Sequence, residues 1–285
     1  MDHVRWYDRP KLNRPVLVAA FEGWNDAGDA ASGAARYLRD RWGARPFANI
    51  DPEEFYDFSS TRPEVRLTEG VTREIVWPIV ELSAAALPGG EGDVIVLLGT
   101  EPELKWRTFT DQIVGVAQAL GVEMVVTLGA LLADVAHTRP VKITGTAASQ
   151  ELVARLGLER STYEGPTGIV GVLHDACARA RLASASLWAA VPHYVAATPS
   201  PKASLALIER ATRLLSTSIM TADLETRSLD YERQVSEIVA SDDDVAAYVR
   251  RLESSADEDD LADMARPDAD SLADEVERFL REGPS

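Results

Sequence analysis

The sequence has few of the features that mark secreted or membrane-spanning proteins. Its 285 residues include a single cysteine, Cys177, which excludes a disulfide within the chain. No apolar run approaches the roughly 18 residues needed to span a bilayer, and the first residues lack the apolar segment of a signal peptide. These absences predict a cytoplasmic protein with no membrane partner.

Positive charge is scarce, and negative charge is concentrated near the end of the chain. The formal net charge is -17, and residues 221–285 alone hold 20 acidic and 7 basic side chains. Such a chain is repelled by phosphate backbones and by anionic lipid, so neither nucleic acid nor a membrane surface is an expected partner.

Complete catalytic and nucleotide-binding motifs are also missing. The sequence has no Gly-x4-Gly-Lys-Ser/Thr loop, no Gly-x-Gly-x-x-Gly fingerprint and no Gly-x-Ser-x-Gly nucleophile elbow. The histidines are too scattered to suggest a metal site: His3, His137, His174 and His193. We therefore expect no metal and no cofactor.

The best organised stretch runs from Val16 to Leu38. Residues 16–21 form a short apolar run typical of a central strand buried on both faces. Small apolar residues then recur at helical spacing, and Asn25 or Asp26 is placed to cap that helix. In open α/β sheets ligands sit at the carboxyl ends of the strands, so the turn from Glu22 to Asp26 is the first candidate site.

Strand and helix patterns continue to alternate along the chain. Strands are predicted at 45–50, 93–98, 122–128, 141–145 and 186–191, with helices at 104–120, 148–156 and 169–180. A half-exposed hairpin is predicted between Val65 and Trp77, after a long loop at 51–63. The alternation predicts an α/β fold: a three-layer α/β/α core with a mainly parallel sheet over residues 1–198.

From residue 199 the apolar period is purely helical, which predicts a helical C-terminal region over residues 199–285. Residues 253–270 are acidic and poor in bulky apolar side chains, so we expect a flexible spacer there. A short amphipathic helix is then predicted from Ser271, docked on this chain or on a partner.

The turn after the first buried strand carries two carboxylates and an indole. Glu22 and Asp26 could bind a hydroxyl group or act as acid and base. Alternatively, Asp26 caps its helix and Trp24 fills the rim of the sheet.

Two further segments carry polar side chains near strand ends or helix starts. In the first, His137 and Asp134 could form a base and its orienting partner, with Arg139 binding an anion. In the second, Glu164 and Thr167 belong to YEGPTG, whose free N–H groups favour an anion at a helix start. The alternatives are a histidine bonded to backbone and a tight turn into a buried helix.

Three separated blocks resemble the proteasome assembly chaperone 2 family, in its bacterial branch. They are FEGWNDAGDAA at 21–31, LLADVAHTRPVKITGTA at 131–147 and YEGPTGIVGVLHDAC at 163–177. The resemblance covers roughly residues 10–215. It implies a core similar to nucleoside phosphorylases and bacterial peptidyl-tRNA hydrolases, a tendency to self-associate, and a non-catalytic chaperone role.

One family feature is not matched. Some eukaryotic and archaeal relatives end in a hydrophobic-Tyr-any residue tail that plugs into the proteasome ring, whereas this chain ends with Arg281 to Ser285. Docking by that tail is therefore not expected.

Two hypotheses follow. The first is a non-catalytic assembly or binding protein that forms a homo-oligomer, dimer or trimer, and contacts other protein subunits such as the proteasome. The second is an enzyme, a hydrolase or phosphorylase-like, acting on a nucleoside-like or amide small molecule with four side chains around one cleft: Glu22, Asp26, Asp134 and His137.

Overall fold

The core is a mixed eight-stranded sheet between helices. The computed structural model describes residues 2–68, 72–90, 92–158 and 164–265. The strands are β1 (Val4–Trp6), β2 (Val16–Glu22), β3 (Arg45–Ile50), β4 (Glu64–Thr68), β5 (Thr72–Val76), β6 (Val80–Ala86), β7 (Asp93–Thr100), β8 (Met124–Ala133), β9 (Ile143–Ala147) and β10 (Ala183–Pro192). The helices are α1 (Ala30–Trp42), α2 (Trp106–Ala119), α3 (Gln150–Leu156), α4 (Ile169–Arg179), α5 (Pro201–Leu214), α6 (Ala222–Ala240) and α7 (Asp243–Ala265).

The strand order in the large sheet is β1-β3-β6-β7-β2-β8-β10-β9. The four central strands, β7, β2, β8 and β10, are mutually parallel. The outer strands on both sides pair antiparallel. The predicted α/β fold class is confirmed, and the parallel part of the sheet is its centre.

Strand β2 is the central strand, as predicted. It lies between β7 and β8, and residues 17–20 are fully buried because both faces of the strand are covered. One face packs on α1 and α5, and the other packs on α2 and α4. The face of α1 is alanine-rich, which lets this helix lie close to the sheet; its buried alanines are Ala30, Ala31, Ala34 and Ala35.

Helix α5 lies beyond residue 198, where we predicted a domain boundary, but it packs in the core. Leu207 and Ile208 are fully buried in the same hydrophobic cluster as α1. The segment 193–200, between β10 and α5, is held to the core because Ser200 N–H donates to Gly28 O at 2.7 Å.

Two strands were not predicted. Residues 4–6 form β1, which pairs antiparallel with β3. Strand β6 joins β3 to β7, although its alanine-rich sequence lacks the β-branched residues that favour strands. Strand β8 also runs five residues further than expected, to Ala133.

Strands β4 and β5 form a separate two-stranded hairpin outside the large sheet. The hairpin was predicted at this position, although its turn, residues 69–71, lies outside the described residues. The preceding loop is anchored by aromatic side chains: Phe55 is buried against Phe109, and Phe58 contacts Trp77.

Helices α6 and α7 pack on the segments that follow β8 and β10 through a small third cluster that includes Tyr231, Val235 and Val249. Helix α7 extends to Ala265, so the first part of the segment expected as a flexible spacer, residues 253–265, is helical. The predicted final helix from Ser271 lies outside the described residues. Within the described part of the chain, no helix combines the length and apolar character needed to cross a membrane.

Candidate functional site

A cavity of about 870 Å³ lies at the carboxyl ends of β2 and β8, beside the first turns of α4. Its mouth carries three exposed apolar side chains, Trp24, Leu131 and Leu132. Its walls are mainly small and hydroxylated residues of three strands and α4. This is the location at which open α/β sheets bind ligands.

The wall next to α4 is fixed by Glu101, which follows β7. Its Oε1 accepts from Asn25 Nδ2 at 3.1 Å and from Ile169 N–H at 2.7 Å, and its Oε2 accepts from Trp24 N–H at 3.4 Å. Gly168 must lack a side chain here, because a Cβ would lie 2.2 Å from Asn25 Nδ2. One carboxylate therefore joins the β2–α1 turn to the start of α4.

Asp26 lines the cavity, but its carboxylate bonds to the backbone of α1. Its Oδ1 accepts from Ala31 N–H at 2.7 Å and from Ser32 N–H at 3.0 Å, as a helix cap does. Its buried Oδ2 has no hydrogen-bond partner. Burial raises the pKa of this carboxyl, and the bonds from Ser32 and Ala31 offset part of that rise. The expected cap is confirmed.

His174 of α4 also lines the cavity, which the sequence did not indicate. Its Nε2 lies 2.9 Å from Thr127 Oγ1 on β8, so the ring is packed and hydrogen-bonded. Burial lowers the pKa of His174 to about 4, and the ring is therefore neutral at pH 7.

The floor of the cavity is a hydroxylated part of the sheet. Thr144 and Thr146 of β9 and Ser186 and Trp188 of β10 line it. The Trp188 indole N–H donates to Ser186 Oγ, and the ring lies over Gly129, where a Cβ would be 2.6 Å from the ring. The absence of a side chain at Gly129 keeps this indole flat against β8.

Of the side chains predicted for a site, three line this cavity: Trp24, Asp26 and Thr167. Glu22 does not line it, because its carboxylate faces Arg36 Nη2 at 2.7 Å and Thr100 Oγ1 at 3.3 Å. Glu164 is exposed and also lies outside its lining.

The predicted residues of the loop after β8 do not line the cavity either. His137 and Arg139 lie in a separate small pocket beside Lys202 and Tyr231. Two hydrogen bonds hold the buried His137 ring, Nδ1 to Tyr194 OH at 2.8 Å and Nε2 to Ser236 Oγ at 3.0 Å. Burial lowers the pKa of His137, with smaller opposing effects from nearby charges.

Asp134 belongs to the same contact with the helical region. Its Oδ1 accepts from Tyr248 OH at 3.0 Å and lies 3.1 Å from His193 Nδ1. The His137 ring is therefore hydrogen-bonded in place, but to side-chain hydroxyls and not to backbone as the alternative expected. The loop ties β8 to α6 and α7.

The arrangement offers little for covalent or metal chemistry. Glu22, Asp26, Asp134 and His137, the four side chains of the enzyme hypothesis, do not line one cavity. Burial raises the pKa of the Cys177 thiol to about 12, so it is not a thiolate at neutral pH. Among the described residues, no group of three or more His, Cys, Asp and Glu side chains could hold a metal ion.

The chain matches one known protein family over most of its length. The model of the PAC2 family matches residues 20–239, which include the end of β2, all later strands of the large sheet and the cavity. The chain belongs to the PAC2 family. The matched residues include all three sequence blocks that carry the resemblance, so the predicted family is confirmed.

Solved structures of PAC2 relatives agree with this assignment. A PAC2 family protein from Streptomyces avermitilis is 45% identical, with a TM-score of 0.78, over 82% of this chain and 99% of that one. A proteasome-assembly chaperone homologue from Mycobacterium tuberculosis is 46% identical, with a TM-score of 0.75 and the same coverage.

A more distant structure shares the fold alone. PbaB of Pyrococcus furiosus, an archaeal proteasome activator, is 16% identical with a TM-score of 0.68, over 82% of this chain and 97% of that one. A search of curated proteins gave no match.

Proposed function

We propose that this PAC2 family member is a cytoplasmic, non-catalytic protein that binds other protein subunits and assists their assembly, with proteasome subunits as partners. The name of the 46% identical relative, a proteasome-assembly chaperone homologue, supports this partner class. The distribution of His137, Asp134 and Glu22 away from the cavity favours binding over catalysis.

The observation that carries the proposal is the exposed apolar face of the β4–β5 hairpin. Val65 pairs with Ile75 across the hairpin, so these two side chains and Leu67 share one face. Val65 is 58% exposed, Ile75 is 49% exposed and Leu67 is 63% exposed. A two-stranded hairpin is only marginally stable alone, and an apolar surface of this kind marks a protein contact.

Self-association is part of the proposal. We infer that copies of the chain contact one another and that the hairpin contacts the assembly partner.

The proposal is tested by measuring binding to purified proteasome α subunits of the same organism. Leu67→Lys places a charge on the apolar face of the hairpin and should weaken binding at least about tenfold, because a desolvated charge disfavours the contact. Leu229→Lys is the matched control, since Leu229 is 71% exposed on α6, away from the hairpin.

Both variants should unfold at the wild-type urea concentration, since neither side chain is in the core. Absence of α-subunit binding by the wild-type chain would refute the proposed partner. Equal loss of binding in both variants would refute the assignment of the hairpin.

A further inference from the structure

The floor of the cavity has a row of hydroxyl groups that crosses three strands. Thr127 of β8 pairs with Ser186 of β10, and Ser186 pairs with Thr146 of β9, so the three side chains share one face of the sheet. In the neighbouring row Trp188 pairs with Thr144. Thr127 and Ser186 are buried on strands covered on both faces, where side chains are normally apolar, so packing alone does not account for these two hydroxyls.

The surrounding groups hold this polar surface in a fixed geometry. Thr127 Oγ1 is hydrogen-bonded to His174 Nε2, and Ser186 Oγ accepts from the Trp188 indole N–H. These two hydroxyls are therefore held in position by their neighbours. Thr144 is exposed and Thr146 is half-buried on the edge strand β9, so the hydroxyls of both are accessible from the cavity. They are the hydroxyls that a bound molecule would meet.

The mouth of the cavity adds an aromatic surface. Trp24 is 66% exposed there, although an indole gains most by covering its faces. A flat ring that enters the cavity can stack on this indole while polar substituents reach the threonines on the floor.

Charge restricts the ligand further. Among the described residues that line the cavity there is no lysine or arginine, whereas Asp26 and Asp29 contribute carboxyl groups. Phosphate and carboxylate ligands are held most strongly by basic side chains, and at the start of α4 the carboxylate of Glu101 already occupies the Ile169 N–H. Anionic ligands are therefore disfavoured.

We propose that this cavity binds an uncharged, hydroxylated ring compound, with its ring on Trp24 and its hydroxyl groups on Thr144 and Thr146. The volume of about 870 Å³ is ample for a molecule of nucleoside or aryl glycoside size. This binding site is additional to the protein-binding function and does not depend on it.

The test uses isothermal titration calorimetry of the full chain with adenosine, phenyl glucoside and adenosine 5′-monophosphate. An uncharged probe should bind with a Kd on the order of 100 µM, as expected for ligands of this size. The monophosphate should bind at least about tenfold more weakly than adenosine. Binding of adenosine alone identifies a nucleoside-like ligand, and binding of the glucoside alone identifies a glycoside-like one.

Paired variants then locate the site. Thr146→Val should weaken binding of the uncharged probe about tenfold by removing one hydrogen bond, while Thr72→Val, on the exposed strand β5, should leave it unchanged. Trp24→Ala should weaken it, whereas Trp77→Ala should not, because Trp77 contacts Phe58 and does not line the cavity. Failure of both uncharged probes to bind, equal binding of the monophosphate, or wild-type affinity in both cavity variants would overturn the proposal.

Discussion

Glu101 Oε1 accepts a hydrogen bond at 2.7 Å from the N–H of Ile169, the first residue of α4. The same oxygen accepts from Asn25 Nδ2. A carboxylate at a helix start is favoured both by the free N–H groups and by the helix dipole. This single side chain therefore fixes the position of α4, and with it the wall of the cavity, relative to the turn after β2.

We predict that Glu101→Ala destabilises the protein by about 1–3 kcal/mol, because the donors on Asn25 and Ile169 lose their acceptor. Glu123→Ala serves as the control. Glu123 forms an exposed ion pair with Arg14, so its loss should cost less than about 1 kcal/mol. Urea unfolding of both variants measures the difference, and equal free energies of unfolding would contradict the role given to Glu101.

Stability should fall as the pH drops below the ordinary pKa of histidine. His174 has a pKa near 4 in the folded protein and 6.5 as its reference value, so the unfolded chain binds the proton first. The neutral ring contributes fully above pH 6.5, and the contribution is lost progressively as the pH falls towards 4, by about 3 kcal/mol at most.

His174→Asn should remove the part of this dependence that His174 contributes, whereas the buried His137, whose pKa is also lowered, keeps its own part. The measurement is the free energy of unfolding in urea at pH 7.5 and at pH 4.5, in wild type and variant. Thr127→Val is the control, since it removes the bond to His174 Nε2 but keeps the titrating ring. A wild-type pH dependence in His174→Asn would show that the ring does not carry the effect.

The contact between β8 and the helical region should depend on Tyr194 more than on Tyr248. Tyr194 OH accepts from His137 N–H at 2.8 Å in a partly buried position, so Tyr194→Phe leaves that N–H unpaired and should cost about 1–3 kcal/mol. Tyr248→Phe removes a comparable but exposed bond to Asp134 and should cost about 1 kcal/mol or less.

Hydrogen exchange separates the effect on α6 and α7 from a global change. In Tyr194→Phe the amides of these helices should exchange faster than those of β2. Uniform acceleration across the core in Tyr194→Phe would contradict a local role for this hydrogen bond.

The sequence predicts the parts of the fold that depend on local pattern. The apolar run at 16–21 and the alanine spacing that follows it identify β2 and α1, because a strand buried on both faces and a close-packed helix each have a local signature. Strand β6 lacks such a signature: its alanines become a strand only because β3 and β7 pair with it.

The site is less predictable, because its key contacts join distant parts of the chain. Trp24, Asp26 and Thr167 could be found from their place at a strand end or a helix start. Glu101 could not, since its partners lie 76 and 68 residues away. His137 was expected in the cleft, but Ser236, 99 residues later, draws its ring towards the helical region.

Sedimentation velocity of the full chain mixed with purified proteasome α subunits tests the central claim most directly. We expect a species that sediments faster than either component and contains both proteins. Its amount should fall in Leu67→Lys and stay unchanged in Leu229→Lys. Separate boundaries for the two proteins at every concentration would contradict a role in the assembly of the α subunits.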